Sequence, residues 1–404
     1  MEKISGGVCA AQGFTAGGVH CGIRKNHGKK DLSMILSQVP AHAAAVYTTN
    51  LVKGAPLTVT KRHIENGIAR MMLCNSGNAN TCNADGEEIA EKMSALAAAQ
   101  AGISPEDVIV ASTGVIGQPL PMEPIEAGMA PLYASLSREG SQDAAHGIMT
   151  TDTKVKEIAV QFTVGGKTCA LGGIAKGSGM IHPNMATMLV FLTTDCAISA
   201  DMLRKAMQAD VQDTFNMISI DGDTSTNDMV SVMANGMAGN EEITAEGEDY
   251  EAFCAALNFV TSNLCRKIAK DGEGATRLLT CTVKGAKTKQ DAKICAKSVI
   301  CSSLLKAAIF GADANWGRVL CALGYSGADI DVHAVDVSFA SRKGSIEVCR
   351  AGSGVPFSEK EAKEILLEDE IEVQVTFHAG EGEATAWGCD LTYDYVKING
   401  DYRT

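Results

Sequence analysis

The chain has 404 residues, 46% of them hydrophobic, enough to bury a large core at a length that suggests two or three domains. A formal charge of −13 and a pI near 5.1 argue against a nucleic-acid or anionic-membrane partner, either of which calls for a basic patch. The amino terminus has no apolar h-region and no stretch approaches a membrane span, so a cytosolic protein is expected.

The fourteen cysteines include no Cys-x-x-Cys pair. In a long chain without a secretion signal they read as small buried hydrophobes, not as a disulfide framework. The eight histidines are scattered without ligand spacing, which does not support a structural zinc site.

In chain order, residues 6–56 are glycine-rich and predict sheet and loops, with a strand over Ala43 to Thr49. Asn75 to Asp85 predicts a polar loop. Ile89, Met93 and Leu96 fall on one helical face, with Gly102 as the stop. Val108 to Ser112 is a short apolar strand opening into Thr113 and Gly114, where a glycine lets backbone approach a ligand or simply makes a turn. Ile158 to Val164 alternates and breaks at Gly165-Gly166, a hairpin signal leading into a strand over Thr168 to Leu171.

The stretch from Lys176 to Leu189 follows, a glycine-containing loop that runs into Thr187 and the apolar residues Met188 to Leu192. A run so short and apolar predicts a strand inside a sheet, not at its edge. The loop is not a phosphate-binding P-loop, since its lysine precedes the glycine that should precede it. As a nucleophile elbow, Ser178 has lysine and methionine at the two glycine positions, and Ser326 has Gly324 but lacks the second glycine. Further on, Ser199 is placed to cap a helix with the stripe Leu203, Met207, Val211 and Phe215. Phe253, Leu257, Val260, Leu264 and Ile268 step by three and four, which sets Glu273 just past a helix end. The aspartate cluster at 221–228 has Thr226 and Val232 where a calcium loop needs glycine and glutamate. Ile371, Val373, Val375 and Phe377 alternate with polar residues as a half-buried strand. Mixed strands and helices in this proportion predict an α/β or α+β layered fold.

Eight segments together resemble the ornithine acetyltransferase (glutamate N-acetyltransferase) family: Asn75 to Asn80, Ser112 to Gly117, Met149 to Thr153, Lys176 to Leu189, Asp221 to Asp228, Asp271 to Gly274, Gly311 to Gly317 and Tyr395 to Thr404. The resemblance implies paired sheets flanked by helices and a smaller carboxy-terminal α/β domain over roughly 285–404. It also implies self-cleavage between Ala186 and Thr187 into chains 1–186 and 187–404 that stay folded together, with two copies of each in a heterotetramer.

A threonine hydroxyl is a weak nucleophile that needs a base beside it, and an amino-terminal threonine carries one in its own α-amine. That amine, with an ordinary pKa of about 7.7–8.0, has a useful neutral fraction near pH 7. By the resemblance, Thr187 is the nucleophile, Thr113 and Gly114 form the oxyanion hole, and Thr150, Lys176, Thr187, Glu273, Asn399 and Thr404 bind substrate. Lys176 suits a substrate α-carboxylate and Glu273 an ornithine ammonium. The function implied is transfer of acetyl from N2-acetylornithine to glutamate in arginine biosynthesis, with no cofactor. Some members of the family also accept acetyl-CoA, which stays open as a second donor. The alternatives are a hydrolase like the related self-cleaving aminopeptidases, which use serine, and a non-catalytic amino-acid-binding protein.

Overall fold

The structure is a computed structural model that describes residues 1–182 and 188–401. Its first sheet is built from β1 (Glu2–Ile4), β2 (Phe14–Val19), β3 (Leu32–Tyr47), β4 (Ile68–Asn78), β5 (Val108–Val115), β6 (Lys156–Val164), β7 (Lys167–Lys176), β8 (Leu189–Thr194) and β9 (Met229–Ala234). The strand order is β1-β6-β7-β8-β9-β3-β4-β5, with β2 also paired to β3. Helices α1 (Ala55–His63), α2 (Gly86–Ala101), α3 (Met122–Ala134), α4 (Ser141–Ile148), α5 (Ala200–Asp213) and α6 (Glu248–Lys270) are interspersed with these strands.

The strand expected over Ala43 to Thr49 begins at Leu32 and runs for 16 residues. Its first part pairs with β2 and β4, and its second part, from His42 to Tyr47, with β9. The register with β4 shifts between Leu36 and Ala41, an interval that contains Pro40, whose missing N–H cannot join a ladder. One buried core draws on Phe14, Ile35, Met72 and Ile109 from one half of the sheet and on Ile174, Leu189, Phe191 and Met233 from the other. The two halves therefore face each other. On the outer face of one half, Val160, Leu192 and Val230 pack under Leu203 of α5 and Leu257 of α6. On the other, Met71 and Val110 pack under Met93 of α2 and Met129 of α3. Helix, sheet, sheet and helix are the layers the resemblance implied.

β8 lies between β7 and β9, and all six of its residues are buried. Leu189 and Phe191 enter the inner core while Val190 and Leu192 enter the outer one, which is why the run reads as continuously apolar. The β6–β7 hairpin turns on Gly165 (φ 53°) and Gly166 (φ 74°), a left-handed pair whose twist suits a two-residue hairpin. The Ser199 hydroxyl accepts the Met202 N–H at the start of α5 as expected. One expectation fails. Asn75 to Asn78 belong to β4, not to a loop, because β5 pairs with them in parallel and their buried amides find partners within the fold.

Residues from Leu278 onward form a second sheet: β10 (Leu278–Ala286), β11 (Val335–Ser341), β12 (Gly344–Arg350), β13 (Ser353–Gly354), β14 (Glu370–Phe377) and β15 (Gly382–Cys389), in the order β13-β12-β11-β14-β10-β15. Helices α7 (Lys289–Cys301), α8 (Ser303–Phe310), α9 (Trp316–Gly324), α10 (Glu359–Leu366) and α11 (Tyr393–Asp401) complete the chain. Leu279, Val299 and Val373 join the same core as α6, so the second sheet is welded to the first through that helix. All fourteen cysteines are free thiols. Among the described residues, no helix is long and apolar enough to cross a membrane.

Candidate active site

Thr113 and Gly114 sit at the end of β5, and Lys176 at the end of β7. The Lys176 ammonium donates to Thr113 Oγ1 at 3.4 Å, and both side chains are buried. Gly114 has a φ of 136°, and a Cβ there would lie 2.3 Å from the Gly77 carbonyl carbon, so only glycine lets β4 and β5 close at this point. A polar network holds that end in place. Asn227, just before β9, donates to the carbonyls of Ser112 and Ala79 and accepts from the Thr81 hydroxyl. Ser112 donates to Asn75 Oδ1 at 2.5 Å.

The second group is formed by the chain after α6. The Glu273 N–H donates to Ser178 O at 2.8 Å, and Asn399 Nδ2 of α11 donates to Glu273 Oε2 at 2.7 Å. Gly179 faces the Glu273 carboxylate so closely that a Cβ would lie 2.4 Å from Cδ. Thr150 enters more indirectly. Its N–H donates to Asp152 Oδ2 at 3.0 Å, and the neighbouring Thr151 hydroxyl is 2.7 Å from Ser178 Oγ.

The two groups meet at residues 176–182, which two carboxylates and one backbone N–H pin. Asp152 Oδ1 accepts from Gly177 N at 2.7 Å. Asp221 accepts from Met180 N at 2.6 Å and Ile181 N at 2.8 Å, and Glu273 holds Ser178 as above. The two aspartate side chains and the Glu273 N–H fix a loop that the β ladder cannot reach. Burial alone would raise the Asp152 carboxyl, but the Lys156 and Lys176 charges outweigh it and hold the group well below the usual carboxylate range. His182 is lowered as well, to about 4, by burial and then the Lys297 charge, so it is neutral at pH 7.

Asp228, just before β9, is buried, and among the described residues its Oδ2 has no hydrogen-bond partner. Burial raises this carboxyl well above its ordinary value, against the opposing pull of Lys176 and Ser225. The Met229 N–H donates to Met188 O at 2.9 Å, so Asp228 is level with the start of β8. Ala186, Thr187 and Thr404 lie outside the described residues.

Sequence reading thus named Thr113, Gly114, Thr150, Lys176, Glu273 and Asn399. The structure brings Thr113 to Lys176 and Asn399 to Glu273, and joins the two pairs through the loop after Lys176. It adds Asp152, Asp221, Asn227 and Asp228, none of which was singled out. All but Asp228 reach partners at least 25 residues away in the chain, and the sequence signal was that Asp152 lies in the segment Met149 to Thr153 and the other three in the segment Asp221 to Asp228. The arrangement offers a buried cation, hydroxyl and amide donors and a carboxylate around one loop. That set suits binding a zwitterion and stabilising an oxyanion.

A model described as the ArgJ family matches residues 15–404. A protein from Symbiobacterium thermophilum named arginine biosynthesis bifunctional protein ArgJ is 53% identical over 406 residues, covering 100% of both chains. One of the same name from Caldanaerobacter subterraneus subsp. tengcongensis is 52% identical, again over 100% of both. Among solved structures, the arginine biosynthesis bifunctional protein argJ from Bacillus halodurans is 46% identical with a TM-score of 0.50, covering 53% of this chain and 98% of that one.

Proposed function

From the premise that the chain belongs to the ArgJ family, we propose that it is a glutamate N-acetyltransferase of arginine biosynthesis, moving acetyl from N2-acetylornithine to glutamate through acetyl-Thr187. The observation that carries this reading is the convergence of Lys176–Thr113 and Glu273–Asn399 on the loop that leads to Thr187.

In the maturation step, Thr187 Oγ attacks the Ala186 carbonyl carbon, the peptide C–N bond breaks, and water hydrolyses the resulting ester. This frees the Thr187 α-amine and leaves chains 1–186 and 187–404. In turnover, the amine takes the Oγ proton as Oγ attacks the acetyl carbonyl. The Thr113 hydroxyl and the Gly114 N–H stabilise the oxyanion, a contribution of about 3–4 kcal/mol per donor in comparable sites. The protonated amine then returns its proton to the departing α-nitrogen of ornithine. Glutamate enters, its amine attacks acetyl-Thr187, and the same amine shuttles the proton. Lys176 pairs with the substrate α-carboxylate and Glu273 with the ornithine ammonium, while Thr150, Asn399 and Thr404 complete the pocket. No cofactor takes part. Acetyl-CoA as a second donor, a cytoplasmic location and a heterotetramer of two 1–186 and two 187–404 chains belong to the same proposal.

Acyl-enzyme in water is hydrolysed unless the site binds an amine and excludes solvent. The test follows the label from acetyl-labelled N2-acetylornithine with and without glutamate. Label is expected on acetylglutamate with little free acetate. Rapid acetate release regardless of glutamate would make the protein a hydrolase and sink the assignment.

A further inference from the structure

A cavity of about 650 Å³ opens between the end of α6 and α11, within the size range of small-molecule sites. It does not include Lys176, Thr113 or Glu273; its floor is Asp271, Gly272 and Gly274, on the other side of the turn that carries Glu273. Five lysines border it: Lys154, Lys156, Lys267, Lys270 and Lys397. Lys156 is committed to Asp152 and Asp271, and Lys270 to Asp369 and Glu370. Among the described residues, Lys154, Lys267 and Lys397 have no carboxylate within ion-pair distance. Asp271 already accepts from Lys156, from the N–H and hydroxyl of Thr153 and from the Lys154 N–H, so it does not neutralise them. Asp394 and Asp401 also border the cavity; they are exposed, as are Lys154 and Lys397, so water screens both signs alike. In a chain of net charge −13, Lys154 and Lys397 beside Lys267, whose ammonium is held by the neutral Glu157 carbonyl, are an exception to the prevailing sign. Burial, followed by the nearby Lys3, lowers the Lys267 ammonium against the opposing Glu157 charge.

The cavity touches the acetyl-transfer site at two places. On α11, residues 394, 397, 398 and 401 border the cavity, while Tyr395 and Asn399 reach Asp221 and Glu273. Spacings of three and four give the helix these two faces. At the floor, Asp271 binds Lys156, Lys156 binds Asp152, and Asp152 holds Gly177 N beside Lys176. α11 has no buried residue, so few contacts set its position.

We propose that this cavity is a second ligand site, separate from the acetyl-transfer site, which takes a small molecule bearing phosphate or carboxylate oxyanions. A ligand bridging Lys397 on α11 to Lys154 and Lys267 on the body holds α11 down, and with it Asn399 on Glu273. Occupancy therefore lowers KM for the acetyl donor, and by linkage the donor tightens the ligand. The coupling rests on the function proposed above; the binding does not.

The test is calorimetric titration of the self-cleaved enzyme at fixed ionic strength with inorganic pyrophosphate as the phosphate probe and citrate as the carboxylate probe. Saturable binding of at least one is expected. The double substitution Lys154→Gln with Lys397→Gln should weaken it at least tenfold while acetyl transfer without added anion stays unchanged. KM for N2-acetylornithine should fall at least twofold at saturating probe in the unsubstituted enzyme and stay put in the double variant. Absence of saturable binding for both probes, or binding that survives the double substitution, overturns the site. Simple competition with the acetyl donor also overturns it, since the anion then occupies the transfer site. Binding with an unaltered KM overturns the coupling through α11. An enzyme that binds the probe through these lysines but transfers no acetyl leaves the second site standing and removes the proposed function instead.

Discussion

The Asn399 amide donates to Glu273 Oε2 at 2.7 Å across 126 residues of sequence. This bond ties the exposed terminal helix to the turn after α6, and it orients the carboxylate proposed to meet the substrate ammonium. A hydrogen bond of this type is worth about 1.5–3 kcal/mol because one partner is charged. Deleting 399–404 is expected to raise KM for N2-acetylornithine roughly tenfold or more while self-cleavage continues. Steady-state kinetics with an intact-mass check decide it, and unchanged kinetics would rule out a site role for the tail.

Gly179→Ala probes the same carboxylate from its other side. The new Cβ would sit 2.4 Å from Glu273 Cδ, and a flexible side-chain end yields more easily than backbone. The fold is expected to survive with a thermal midpoint near that of the parent, while KM for the donor rises roughly tenfold as the carboxylate is pushed aside. A variant with parental KM would show that Glu273 is not placed by this contact.

Thr187→Ala is expected to remain a single species at the 42.2 kDa of the whole sequence, whereas the unsubstituted protein separates into two chains under denaturing mass spectrometry. An active enzyme that stays in one piece would remove the amino-terminal-nucleophile mechanism.

Lys156 has a side chain 1% exposed and lies 2.6 Å from Asp152 and 2.5 Å from Asp271. Removing one member of such a group leaves buried carboxylates without a counter-charge, at a cost of about 3–5 kcal/mol. Lys156→Met should lower the urea midpoint accordingly, and adding Asp271→Asn should recover part of the loss. A change of less than about 1 kcal/mol would show that water reaches the pair.

His182 predicts the acid response. Its native pKa of about 4 lies below the ordinary 6.5, chiefly through burial and then the Lys297 charge, with Asp221 opposing. Between those values the unfolded chain binds the proton and the native chain does not, so stability is complete above pH 6.5 and declines as pH falls toward 4. Its ring also faces Ser219 at 3.0 Å and Cys301 at 3.6 Å. Thermal midpoints from pH 7 to 4.5 should fall more steeply for the parent than for His182→Gln. Parallel curves would assign the acid loss to other groups.

Local patterns carried much of the fold. The Gly165-Gly166 hairpin, the Ser199 cap, the stripe of α6 and the alternation of β14 are set by neighbours within four residues, and each could be read from the chain. The two-sided burial of β8 was legible for the same reason, since a strand covered on both faces has no polar position to show. The family motifs named Thr113, Gly114, Lys176, Glu273 and Asn399, but not how they meet. That depended on β4 taking Asn75 to Asn78 into its ladder, on Asp152 reaching Gly177, and on Asp221 reaching Met180 and Ile181. Asn, Asp and Gly favour turns when alone, and only a partner strand or a distant N–H reverses that preference. Such partners lie tens to hundreds of residues away, so a one-dimensional pattern holds no period for them. The sequence determined the elements and the chemistry on offer; the tertiary structure decided which donors and charges share a loop, because burial makes each of them take a partner wherever the topology supplies one.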